Sequence, residues 1–161
     1  MNTDPLAVLD WMIGRWTVAG RVDGQEVHGA AVVRRAVEGS VLEAREQMVR
    51  LDGTLDYEDM ALYLWDAAAL GIYALHISAP GAIARYAVLP LDGRPGVHWM
   101  AADLSARVVL TPDGEGWRSE VWQGTAETPI SALRYSPPED SSPEDSSPGS
   151  SSSMSRNQPP S

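Results

Sequence analysis

Three histidines, His28, His76 and His98, are the first candidates for chemistry in this 161-residue chain. They lie far apart, and none has the H-x-H or H-E-x-x-H spacing that brings two imidazoles to one metal ion. His76 lies in the apolar run 71–78, with Ile72 and Ala74 on its own face and Tyr73, Leu75 and Ile77 on the other. Both faces are apolar, so the pattern leaves three roles open: a surface or hydrogen-bonded core histidine, a polar anchor for a ligand, or a haem ligand. His98 adjoins Trp99, and neighbours in a strand point to opposite faces. If Trp99 fills an interior, His98 is solvated. Asp56, Glu58 and Asp59 cluster around Tyr57. Acids so spaced can hold Ca²⁺ or Mg²⁺, but the regular D-x-D-x-D-G form is missing, and a solvated acidic loop is expected. There is no G-x-S-x-G, no phosphate loop and no paired-histidine motif. No catalytic set is legible, and neither a metal nor a cofactor is expected.

Glu46 is singled out by parity. In the run 41–50, Leu42, Ala44 and Met48 alternate with Glu43, Arg45 and Gln47, and Glu46 falls on the apolar side. An unpaired carboxylate there is costly. Arg34 or Arg50 is the expected partner, in a salt bridge near the mouth of a closed sheet; a polar contact for a ligand is the other account. The largest apolar investment is six tryptophans, Trp11, Trp16, Trp65, Trp99, Trp117 and Trp122, in a chain without phenylalanine. They can fill a core or line a pocket.

The elements that must position these residues follow from turn signals and periodicity. Thr3 or Asp4 can cap a short helix, Pro5 suits its first position, and Leu6, Leu9 and Ile13 recur at helical spacing before Gly14 stops it. Asp23-Gly24, Glu38-Gly39, Asp52-Gly53, Pro80-Gly81, Asp92-Gly93 and Asp113-Gly114 then punctuate the chain. Strands are predicted near 15–22, 26–35, 41–50, 58–66, 71–78, 82–89, 96–102, 105–111, 116–123 and 129–135. No long helical pattern separates them, so the expected fold is all-β: an antiparallel up-and-down barrel of about ten strands, which closes because an open meander leaves two edges. Alternation sets its interior: Trp16, Val18, Gly20 and Val22; Leu42, Ala44 and Met48; Ala84, Tyr86 and Val88; Ala106, Val108 and Leu110. About ten strands enclose more volume than alanine and glycine can fill, so a cavity is expected.

Composition excludes several classes. No cysteine means no disulfide and no thiolate metal site. A formal charge of -10, with arginine as the only basic residue besides histidine, argues against nucleic acid. No apolar run approaches the roughly 20 residues of a membrane-spanning helix. The N-terminal MNTDPLAVLDWMIG lacks the basic region of a signal peptide, and a cytoplasmic location is expected. From Ser136 the text turns to Ser, Pro and acids, a composition with little apolar surface to bury, and residues 137–161 are expected to form a disordered tail.

Leu9-Asp10-Trp11-Met12-Ile13-Gly14-Arg15-Trp16 has an L-x-x-x-x-G-x-W form. It resembles the opening of calycin-type barrels, where a short helix leads through Gly-x-Trp into the first strand and the Trp packs across the barrel floor. Leu62-Tyr63-Leu64-Trp65-Asp66, followed by Gly71-Ile72-Tyr73, resembles a hairpin of bacterial lipocalin-like domains, which are related in shape to lipocalins, fatty-acid-binding proteins and the haem-binding nitrobindins. The resemblance spans residues 6–135 and implies a lipocalin-like domain over 1–136. Two departures limit it. Nitrobindin-like proteins hold haem through a histidine on a late strand, and residues 99–161 contain none. Fatty-acid-binding proteins hold a carboxylate with Arg-x-Tyr on the last strand, whereas Arg134 and Tyr135 are adjacent and should point to opposite faces.

The expected function is binding of a small apolar or amphipathic ligand in the barrel lumen, contacted by some of Trp16, Met48, Tyr63, His76, Tyr86 and Trp99. The alternatives are a packed barrel acting as an interaction module and, third, a haem-binding or enzymatic protein. A homodimer is compatible with the sequence.

Overall fold

The computed structural model describes residues 4–79 and 81–139. Most of the expected tail, from residue 140 onward, lies outside the described residues. Ten strands follow one another: β1 (Gly14–Val22), β2 (Gln25–Ala36), β3 (Val41–Arg50), β4 (Leu55–Asp66), β5 (Gly71–Ser78), β6 (Ala82–Pro90), β7 (Val97–Ala101), β8 (Ala106–Asp113), β9 (Gly116–Gln123) and β10 (Ser131–Ser136). Each pairs antiparallel with its neighbours in sequence, and β1 also pairs with β10, from Thr17–Ser136 to Val22–Ser131. The sheet is a closed barrel without edges, as the alternation and turn signals predict.

Two glycines fit the barrel wall through what they lack. A Cβ on Gly29 would stand 1.9 Å from the Gln47 carbonyl oxygen and 2.8 Å from the Met48 sulfur. The wall is that tightly drawn where β2 meets β3, and the Met48 thioether occupies the side-chain space that Gly29 leaves. At Gly14 a Cβ would meet the Trp16 indole at 3.1 Å. This gives Gly-x-Trp a local reason: the ring folds back over the glycine, and its Nε1 donates to the Met12 carbonyl at 2.8 Å.

The N-terminal helix forms over Pro5–Met12 as a 3₁₀ helix, with Asp4 Oδ1 accepting from the Leu6 amide at 2.9 Å. The expected stripe of Leu6, Leu9 and Ile13 is corrected here. Three residues per turn align Leu6, Leu9 and Met12. These three are buried, while Ile13 caps the helix and is exposed. They stopper the barrel at the end where β1 begins and β10 ends. Arg35 on β2 ties the stopper down through ion pairs to Asp4 and Asp10 at 2.8 and 2.5 Å.

The acidic cluster is a second correction. Residues 56–59 are not a loop, because β4 begins at Leu55 and pairs with β3 through Val49–Leu55, Met48–Tyr57 and Glu46–Asp59. A bulge between Met48 and Val49 absorbs the mismatch. Tyr57 and Asp59 therefore point into the lumen, and Asp56 pairs with Arg50. Among the described residues no helix is long and apolar enough to cross a membrane.

Candidate functional site

The inward side chains leave a cavity of about 320 Å³. It runs from Met12 of the stopper and Trp117 to Val22, Ser78 and Ser131 at the other end of the barrel. Alanine, valine, leucine and aromatic rings make most of its wall. Ala44 and Ala61, register partners on β3 and β4, and Ala31, which lies opposite Glu46 on β2, are small residues of this wall.

Polar groups gather on one side. Glu46 on β3 is directly opposite Asp59 on β4, and Asp59 is opposite Ser78 on β5. His76, two residues before Ser78, bonds through Nε2 to Asp59 Oδ2 at 2.8 Å. The contact is an ion pair when the imidazole is protonated and an N–H···O bond when it is neutral. The Tyr57 hydroxyl donates to Glu46 Oε1 at 2.5 Å, and the Tyr135 hydroxyl from β10 donates to Oε2 across the lumen. Tyr135 is held flat against Trp117, with ring centroids 3.4 Å apart and planes 5° from parallel.

Glu46 pairs with neither Arg34 nor Arg50, contrary to expectation. Arg34 pairs outward with Glu43 at 3.1 Å, its register partner, and Arg50 with Asp56 at 2.6 Å. With tyrosine hydroxyls as its partners, Glu46 sits in an apolar lumen opposite a second carboxylate. Its pKa is pushed up to about 7, chiefly by burial and then by the charge of Asp59, while the two hydroxyls and His76 pull it down. Its remaining accessible surface faces the cavity, so burial dominates although the side chain is not sealed off. Tyr57, Tyr63 and Tyr135 are pushed upward by burial and by the Glu46 charge, and so remain neutral donors.

Four of the six residues expected at a ligand come together on the cavity wall: Tyr63, His76, Tyr86 and Trp99. Trp99 is their hub, with ring centroids 5.6 Å from Tyr63, 5.6 Å from Tyr86 and 6.1 Å from His76. His98 accordingly points away from the lumen. The other two are placed differently. Met48 is fully buried against Gly29, and half-buried Trp16 packs edge-on to Trp117 outside the cavity wall. Sequence reasoning missed Tyr57, Asp59, Trp117 and Tyr135. The parity of Tyr57, Asp59, Ala61 and Tyr63 carries the signal for β4, hidden by the assumption that the strand starts after the acids.

Among the described residues, two tryptophans of the wall keep the indole nitrogen inside the packing and out of reach of the cavity. The indole nitrogens of Trp99 and Trp117 are buried without a hydrogen bond, in side chains 8% and 4% exposed. The Tyr63 hydroxyl is close to the first of them, without hydrogen-bond geometry. Trp122, also unpartnered, belongs to the outer face, where Arg107 lies 5.4 Å from its ring. Among the described residues, no three histidine, aspartate or glutamate side chains are placed so that they could hold one metal ion.

No protein-family model matches the chain, and no curated protein sequence does. Among solved structures it is similar to a de novo designed fluorescence-activating β-barrel, with a TM-score of 0.38 and 15% identity over 81% of this chain and 95% of that one.

Proposed function

We propose that this protein is a lipocalin-like binder that takes a small amphipathic molecule into its barrel lumen. The supporting observation is the cavity: about 320 Å³ of space inside a closed barrel, apolar and aromatic on most sides, with Glu46, Asp59 and His76 converging on one. Small-molecule sites combine these features, and this volume is at the small end of their range of roughly 300–1,000 Å³. A packed interaction module would use its tryptophans as filling. Here Trp65 is exposed, Trp122 lies outside, and Trp99 and Trp117 stand on the wall, leaving the space between them open. The wall is built on strands, so the site is preformed and its ordering cost on binding is low.

Native mass spectrometry tests the reading. The expected result is one small molecule bound per chain, either co-purified or after incubation with a neutral apolar dye. An unliganded chain alone, even with dye at about 100 µM, well above a micromolar dissociation constant, would favour the packed module.

A further inference from the structure

The polar side of the cavity is chemically one-sided. Glu46 and Asp59 face each other across β3 and β4, and the basic group bonded to them is His76, held by Asp59. Among the described residues no arginine pairs with either acid. Arg45 reaches the cavity wall, but its guanidinium is bound to Glu43 at 2.8 Å on the outside. A ligand carboxylate would therefore meet two acids and no free cation. A ligand cation would meet two acids, with the faces of Trp99, Tyr63 and Tyr86 nearby to attract it further.

Resting on the binding reading above, we propose that the ligand is an amphipathic amine, its ammonium group against Glu46 and Asp59 and its apolar body against the aromatic wall of Tyr63, Tyr86 and Trp99. The amine brings the charge that these acids lack, so its binding and the ionisation of Glu46 support each other. The groups facing Glu46 are Asp59, Tyr57 and Tyr63 from β4, His76 from β5 and Tyr135 from β10. The tyrosines stay neutral.

The test uses the full chain, a neutral environment-sensitive dye and three competitors with one carbon skeleton: 4-phenylbutylamine, 4-phenylbutanol and 4-phenylbutyrate. The expected result is displacement by the amine at a concentration at least about tenfold below that of the carboxylate, and below that of the alcohol; tenfold corresponds to about 1.4 kcal/mol. The amine should also bind severalfold more tightly at pH 8 than at pH 6, while the alcohol does not change. Such an amine, with a pKa near that of lysine at about 10.4, stays protonated throughout. In Glu46→Gln the preference for the amine should shrink. An alcohol or carboxylate that matches the amine, or an amine that fails to displace bound dye, overturns the head-group assignment and leaves the binding reading standing. A protein that binds no dye defeats the binding reading, and this inference with it.

Discussion

A carboxyl group facing an apolar lumen must be neutralised, paired or protonated, and Glu46 combines the last two. Two tyrosine hydroxyls hold it, and burial keeps its pKa near 7. The consequence for stability has a definite sign. The folded-state value is above the ordinary 4.5, so the stabilisation from the bound proton is fully present below pH 4.5 and is lost as pH rises through about 7. The loss amounts to roughly 3–4 kcal/mol at most. Glu46→Gln, which cannot ionise, should therefore gain stability relative to wild type between pH 5 and pH 8; urea denaturation at the two pH values measures the gain. Tyr135→Phe removes a donor to the ionised form, and should move the Glu46 titration to higher pH in a carboxyl-carbon NMR experiment. The inward direction of Glu46 was legible in the alternation of β3. Its partners were not, because a tyrosine on β10, 89 residues away, becomes visible only when the barrel closes.

The N-terminal helix and the β2–β3 seam are the elements on which the cavity depends. Leu9 is wholly buried in the stopper. Leu9→Ala should cost roughly 2–5 kcal/mol, as such core truncations do, and should loosen the closed end. Thermal unfolding reads the first effect and dye affinity the second. At the seam, Gly29→Ala places a Cβ against backbone that cannot yield as a side chain would. A loss of roughly 1–3 kcal/mol or more is expected from such overpacking, measurable in the same denaturation experiment. All ten strands were legible from turn signals and two-residue periodicity. The start of β4 was not. Aspartate and glutamate are poor strand formers, so Asp56, Glu58 and Asp59 read as a loop; pairing with β3, the ion pair to Arg50 and the hydrogen bond to His76 override that propensity. The helix was legible as a helix, but its three-residue turn was not, and with it the exchange of Ile13 for Met12.

At the scale of the whole molecule, strand number fixed the expectation of a closed barrel, and closure follows from β1 pairing with β10. Whether the lumen is filled could not be read from composition, because the same six tryptophans can fill a core or line its wall. The distinction depends on position: Trp99 and Trp117 reach the lumen, while Trp65 and Trp122 do not. The Tyr63, His76, Tyr86 and Trp99 group was legible because alternation places each inward once its strand is located, although the two apolar faces of β5 left His76 undetermined. The most direct test of the lumen as a binding site is a fluorescence titration of a neutral apolar dye into wild type and into Ala44→Phe, which puts a ring into the cavity. Wild type should bind one dye per chain with a dissociation constant of about 10 µM or below, quenching Trp99, and the folded variant should lose that binding. No saturable binding below about 100 µM, or equal binding in the filled variant, would contradict the account.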